Sequence, residues 1–357
     1  MTTTTYPPTG TANMASGVTS LDNFIPELWS DEIIAAFKSN LVIANLVSEI
    51  PHTGKKGDTI HIPTPTRGDA AKKAEATAVT IISNVESVTD LSINEHWEYT
   101  RLVEDLAALQ SINSYRNFYT DDAGYSLASR TDREIFKDVH FLQGGAALAR
   151  ATVWEKAVIG SDGSTIFAGT GGGNSAKITD AGLRTIIQSL DDADVPSADR
   201  CLVIPPVEKN NLMSVPRFTE QAFVGEGGSA NTIRNGLVGE LYGVDIFVST
   251  NCPFIWTNTA LNTVVVNFSG TAPSSATYSD EYSDVIGDTL DMSSGTIAAH
   301  RGCFLGHKSA LVHIPQQGVR TQTQYKQEYL SDLFTADVVF GHGELRDDAG
   351  FGIVVPS

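Results

Sequence analysis

The apolar positions change period along the chain, and each change predicts an element. From Phe24 to Ile50 they fall in short runs, Ile33 to Phe37 and then Leu41 to Ile43 with Leu46 and Val47, which predicts one or two short helices stopped by Pro51. From 51 to 100 polar and apolar residues alternate, outward through Asp58 to Ile62 and back through Leu91 to Tyr99, the pattern of a long β-hairpin. Between these strands lie Pro63, Pro65, Gly68 and a polar Ala/Lys/Glu/Thr stretch that offers a core almost nothing. Two-stranded ribbons are marginally stable in water, so such an arm needs a neighbouring surface. From about Ser114 to Leu142 the spacing becomes i, i+4: Tyr115, Tyr119, Ala123, Leu127, Ile135, Val139 and Leu142, with Thr131 in the gap. That is one long amphipathic helix, and its balanced charges predict one face packed and the other solvated.

The Gly/Ser/Thr stretch 160–175 predicts a loop. Thr179 then stands as an N-cap before Leu183, Ile186, Ile187 and Leu190, a second helix that Asp194-Val195-Pro196 ends. A strand is expected at Cys201–Ile204, a break at Pro205-Pro206, a short helix over Glu208–Met213, a glycine-rich loop at 225–228, and strands at Leu237–Leu241 and Val244–Val248. The remaining stretch to about 300 reads as loop-rich and acidic. Beyond it strands are expected at Leu311–Ile314, over Val319, Thr321, Thr323 and Tyr325, at Val338–Phe340 and at Ile353–Val355. No internal repeat is visible.

Composition narrows the function. The 357 residues carry a net charge of −18, and 180–300 alone holds fifteen acidic against five basic residues. An acidic surface lacks the basic stripe that releases counterions from nucleic acid, so sequence-specific DNA binding is not expected. The exception is a short basic run, Lys55, Lys56, Arg67, Lys72 and Lys73, suited to an acidic neighbour in head-to-tail self-association. No apolar run reaches membrane-spanning length, and the first twenty residues, a Thr/Gly/Pro/Ser tract expected to be disordered alone, lack the regions of a secretory signal. Cys201, Cys252 and Cys303 are odd in number and sit in unlike contexts, which fits a reduced chain without a disulfide framework.

Candidate chemistry is thin. Gly225-Glu226-Gly227-Gly228-Ser229-Ala230 satisfies a permissive dinucleotide pattern with Asp245 twenty residues on, but Asn235-Gly236 cuts off the helix that should follow, so a loop is the better account. Asp192-Ala193-Asp194 starts like a calcium loop, yet Pro196 and Val203 stand where ligands belong, leaving a helix-ending acidic turn. His300, His307 and His313 are too far apart for a zinc helix, and no nucleophile elbow or phosphate loop occurs. No cofactor and no metal is expected, and no enzymatic activity.

Several stretches taken together carry a family resemblance: Leu190-Asp-Asp-Ala-Asp-Val-Pro196 through Arg200-Cys-Leu-Val-Ile-Pro-Pro206, Gly236 to Pro253, and Gly306-His-Lys-Ser-Ala310 leading into a strand. In this order of parts the chain resembles the major capsid proteins of tailed bacteriophages with the Hong Kong 97-type fold. The resemblance implies an α+β chain with an N-terminal arm (1–50), an extended hairpin or E-loop (51–100), a peripheral domain with a spine helix (101–178), a mixed α/β axial domain (179–299) and return strands of the peripheral domain (300–357). It implies pentameric and hexameric capsomers tiling an icosahedral shell around double-stranded DNA, in the virion and, during assembly, the host cytoplasm. Its partners would be further copies of itself, a portal protein at one vertex and, in some cases, a decoration protein. Fewer than sixty residues precede the hairpin, so a separate scaffolding protein is expected. Inter-subunit contacts are expected from Lys55, Lys56, Arg67, Lys72 and Lys73 of the hairpin and from Phe24 and Trp29 of the arm. Some relatives crosslink an E-loop Lys to an Asn beside a buried Glu; the hairpin lysines supply only the first partner. An encapsulin-like compartment shell and a soluble enzyme with an unrecognised site are the competing readings.

Overall fold

In the computed structural model the described residues are 14–15, 41–54, 56–65, 70, 72–73, 75, 78–79, 86–104, 115–139, 142, 154, 157–168, 173–215, 239–258, 263–268 and 297–357. Among them β1 (Met14–Ala15), β2 (Ser48–Glu49), β3 (Thr59–Pro65), β4 (Glu86–Ser92) and β5 (Glu95–Glu104) precede helix α1 (Tyr115–Asp138). Then follow β6 (Val158–Ile159), α2 (Asp180–Asp192), β7 (Arg200–Ile204), α3 (Pro206–Leu212), β8 (Glu240–Leu241), β9 (Val244–Val248), β10 (Phe254–Asn258) and β11 (Thr263–Asn267). The chain closes with β12 (Ile297–His307), β13 (Leu311–Lys326), β14 (Ser331–Glu344) and β15 (Gly350–Pro356).

These strands form a five-stranded sheet in the order β1-β5-β14-β13-β2, an eight-stranded sheet β11-β10-β12-β7-β9-β8 with β15 and then β6 on the opposite edge of β12, and the hairpin β3–β4. Both large sheets mix parallel and antiparallel pairs, and with only three α-helices among the described residues the chain is α+β. The expected return strands divide between the sheets: β13 and β14 build the first, whereas β12 and β15 join the second. Residue 300, where the sequence suggested a boundary, lies inside β12.

Helix α1 joins the sheets. From Tyr119 onward its i, i+4 stripe is buried, with Tyr119 at 5% exposure, Leu127 at 2%, and Ala123, Thr131, Ile135 and Val139 at 0%. Thr131 fills the stripe's polar gap by donating its hydroxyl to the Leu127 carbonyl at 3.0 Å. Ala123 and Leu127 pack on Val319, Phe334, Ala336, Val338 and Phe340 of the first sheet, while Ile135, Phe136 and Val139 enter the main core beside Ile43, Leu305 and Ile353. The solvated face expected from its charges is present in the N-terminal half, where Asp121, Tyr125 and Ser126 are exposed, but not farther on, where Asp132, Glu134 and Asp138 are buried too. Asp132 accepts the Val42 and Ala44 amides at 2.9 and 3.2 Å, fixing the 3-10 turn Ile43–Asn45 where the sequence suggested a short helix. Burial pushes the Asp132 carboxyl up to about 6, only partly offset by those N–H groups.

The second helix follows its sequence signals. Thr179 accepts the Gly182 amide at 3.1 Å as N-cap, and Leu183, Ile186 and Leu190 are buried. Asp194, at φ +55°, lies just past the helix end.

Three expectations are corrected. The hairpin's return strand is β4, not Leu91–Tyr99: Thr59 pairs with Ser92 and Pro65 with Glu86, while β5 pairs with β14 from Glu95↔Phe340 to Glu104↔Ser331. Alternation runs through both strands, so only the crossing at Ile93-Asn94, where Ile93 N–H bonds the Asp58 carbonyl at 2.7 Å, separates them. Strands read as separate at 311–314 and 319–325 are one sixteen-residue strand, irregular between Pro315 and Arg320. Asp337 holds that irregularity through Gln317 at 3.0 Å and Arg320 at 2.9 and 3.1 Å. The supposed loop before 300 contains β10, β11 and the start of β12.

The flat face of β12 admits a large ring. A side chain at Gly302 would meet the Trp154 indole at 2.6 Å, and one at Gly352 on β15 would meet it at 3.0 Å. Gly302→Val is therefore expected to destabilise the chain by roughly 1–3 kcal/mol through overpacking, read as a lower urea midpoint. Asp132→Asn removes the buried charge while keeping one acceptor. The wild-type carboxyl, raised from 3.8 to about 6, binds its proton more tightly in the fold, so its stabilising protonation is lost as pH rises through 6. Relative to wild type, the variant's urea stability is expected to rise by roughly 3 kcal/mol between pH 4 and 7.

Candidate assembly surfaces and a charged seam

The hairpin is the first candidate surface. Among the described residues β3 and β4 pair only with each other. Ile60 and Ile62 are half-buried on one face, and Val88 is 56% exposed. Its root is held by an apolar cluster of Leu91, Ile93, Val312 and Ile314, flanked by Ile50, Ile60, Ile62, Val339 and Leu345. Two glycines of β14 permit that close approach: a side chain at Gly343 would meet Leu91 at 2.5 Å, and one at Gly341 would meet the Ser92 carbonyl at 2.7 Å.

The basic run is described at three of its five positions. Lys56 lies exposed at the root, just before β3, whereas Lys72 and Lys73 are exposed in the connection beyond Pro65. Lys55, Arg67, Phe24 and Trp29 lie outside the described residues, as does the glycine loop 225–230.

The second candidate was not anticipated. Where α1 crosses β5 and β14, Glu134 is bound by Arg130 at 2.7 Å and by Lys137 at 2.6 Å, and Asp138 lies 2.5 Å from His342 Nδ1. Trp97 donates its indole N–H to Glu95 at 2.8 Å, and the Arg130 guanidinium stacks 3.6 Å from the Trp97 ring centroid. His342 Nε2 faces Glu134 at 4.0 Å. Burial pulls the His342 imidazole down, but Asp138, Glu134 and Glu95 outweigh it and hold it above its ordinary value. Opposite it on β13, His313 is pushed down to about 4 by burial and by the His342 charge. Donor atoms of Glu95, Glu134 and His342 lie within 4.8 Å of one another. Arg130 and Lys137 already occupy both Glu134 oxygens, so protein cations close this group. The spacing of Arg130, Glu134, Lys137 and Asp138 on one helix was visible in the sequence; their strand partners were not.

The remaining chemistry is structural. Cys201, Cys252 and Cys303 are free and buried, and burial lifts the first two thiols to about 12, far from thiolate reactivity. His300 touches the Ser175 hydroxyl at 2.5 Å and the Thr257 hydroxyl at 3.1 Å, contacts that tie β12 to its neighbours. His307 meets Ser309 at 2.8 Å, so the structure does not bring His300, His307 and His313 together. Asp192 and Asp194 stand at the end of α2, where the neighbouring Asp191 binds Arg200 at 2.7 Å. Buried Glu208 accepts the Ile178 amide at 2.7 Å and the Asn211 side chain at 3.0 Å. Two open clefts border the hairpin root: one of about 400 Å³ lined by Thr53, Gly54 and Gln316–Gly318, and one of about 520 Å³ between Asp90 and Asp138, His342 and Glu344. No described helix is long and apolar enough to cross a membrane.

No protein-family model matches the chain, and no curated protein does. Solved structures do. A structure from Mycobacterium phage Che8 aligns with 88% of this chain and 90% of its own at 20% identity and a TM-score of 0.57. The capsid structure of cyanophage P-SCSP1u aligns over 89% and 88% at 15% identity and 0.58, and the mature capsid of bacteriophage PhiM1 over 88% and 87% at 13% identity and 0.58. At such identities the likeness lies in the path of the backbone, and it spans nearly all of both chains. The chain has the fold of a phage major capsid protein.

Proposed function

We propose that this chain is the major capsid protein of a tailed bacteriophage, assembling through pentamers and hexamers into an icosahedral shell around double-stranded DNA. The observation that carries this reading is the fold match over nearly nine tenths of both chains to phage capsid structures. The hairpin adds physical support, because among the described residues β3 and β4 pair only with each other and their apolar cluster lies at the root.

In this reading the E-loop is the segment about β3 and β4, narrower than 51–100 because β5 belongs to a sheet. Helix α1 is the spine helix, and β7 to β11 with α2 and α3 supply the axial domain. Lys55, Lys56, Arg67, Lys72 and Lys73 meet acidic surface on the next subunit, and Phe24 and Trp29 of the arm pack between subunits. Heterologous contacts of this kind close into rings, and many weak contacts add through multivalency. A separate scaffolding protein, a portal and in some cases a decoration protein complete the particle, while the acidic chain encloses DNA without reading its sequence. The role is structural and needs no cofactor.

Negative-stain electron microscopy of the purified chain, with and without a co-expressed scaffolding protein, is expected to reveal shells, tubes or five- and six-fold rings. Small uniform particles under both conditions would overturn the proposal, and shells holding protein cargo without nucleic acid would favour a compartment shell. Reversing Lys72 and Lys73 to Glu is expected to slow assembly at low salt, measured by light scattering. That effect should fade as the Debye length shortens to about 8 Å near 0.15 M salt.

A further inference from the structure

We propose that a proton on His342 closes the seam between α1 and β14, so that the packing of the helix's C-terminal half and of the hairpin root against β14 is set by pH. The inference stands on the groups gathered there and does not depend on the assembly reading.

The seam contains three carboxylates, Glu95 on β5 and Glu134 and Asp138 on α1, and two fixed cations, Arg130 and Lys137 on α1. With His342 as imidazolium the charges balance; with neutral imidazole one negative charge is left over in a poorly solvated site. Uncompensated charge is costly there, because Glu134 is 2% and Asp138 9% exposed. From β13, His313 faces His342 across the strand pair, its ring tilted against Phe340. Across the adjoining cleft stand Asp90 of β4, Glu344 at the end of β14 and, beyond it, Asp347, all of which favour the proton on His342.

Position turns this balance into a device. His342 lies between Gly341 and Gly343, the residues on which Leu91, Ser92 and Ile93 at the hairpin root rest. A charge imbalance at His342 therefore acts on α1 from one side and on the hairpin root beside it. Geometry and electrostatics agree in sign. A histidine held above its ordinary 6.5 contributes stability that is complete below 6.5 and lost as pH rises through its folded value. At the acid end His313, held near 4, gains a proton beside the His342 charge and loosens the same contact.

The test is hydrogen–deuterium exchange at the imidazole C2 position, followed by mass spectrometry on the full chain in EDTA, from pH 3 to 9. His342 is expected to titrate above 6.5 and His313 near 4. Asp138→Asn should bring the His342 midpoint down. Backbone amide exchange over 89–93 and 130–138, corrected for its intrinsic pH dependence, should accelerate in wild type once His342 deprotonates. In His342→Gln it should be fast and flat across the same range, with circular dichroism confirming that the variant folds. A His342 midpoint at or below 6.5, a midpoint unmoved by Asp138→Asn, or wild-type seam exchange that ignores pH would each overturn the proposal.

Discussion

Helix α1 has to lie against two sheets at once, and the charges it carries into that position govern what packs around it. Its apolar stripe from Tyr119 to Val139 leaves no freedom of rotation, since turning the helix would lift Ala123 and Leu127 off the first sheet and Ile135 and Val139 out of the main core. With the rotation fixed, Asp132, Glu134 and Asp138 are committed to buried positions. Buried carboxylates are tolerable only when hydrogen-bonded or paired. Asp132 draws in the amides of Val42 and Ala44, and Glu134 and Asp138 draw in Arg130, Lys137 and His342. The turn at 43–45 and the end of β14 are thus positioned by demands that originate on the helix.

The hairpin is placed by the same end of β14. Its root needs backbone-close contact, which Gly341 and Gly343 permit, and the apolar cluster around Leu91 and Ile93 supplies its burial. Beyond Pro65 the chain carries Lys72, Lys73, Glu75 and Val79, all exposed. A segment anchored at one end and offering little apolar surface at the other gains stability mainly from contacts with something else. That asymmetry is what a shell-forming role requires, and it follows from composition as much as from shape.

What the sequence disclosed tracks the strength of local pattern. Helix α2 was legible because Thr179 caps it and Leu183, Ile186 and Leu190 repeat at helical spacing with no competing signal. Helix α1 was legible for its stripe, though not for its buried acids, since an Asp that bonds a distant turn looks the same as one in water. Strand β12 was hidden because His300, Arg301, Gly302 and Gly306 interrupt a segment buried on both faces, where alternation carries no information. Strand β13 was cut in two by Pro315 and the two register shifts between it and Arg320, across which no alternation can be read. The hairpin's pairing was misplaced because 86–92 and 95–104 alternate alike, and only tertiary contacts assign one to β3 and the other to β14. The seam was out of reach for the same reason: Glu95 and His342 meet α1 only once both strands have joined the first sheet.

Proton binding ties these features together. Asp132, raised to about 6, takes up a proton more readily in the fold than in the unfolded chain, which favours the fold as pH falls from 6 towards 3.8. His313, lowered to about 4, does the reverse over nearly the same range, because folding withholds a proton that the free side chain would bind. The two shifts are opposite in sign, so between pH 4 and 6 they act against each other. His342 has no such counterweight above 6.5, since neither Asp132 nor His313 titrates there. Placing one buried acid, one neutral histidine and one charged histidine around a single helix therefore sets opposing responses in mild acid and leaves His342 to act around neutrality.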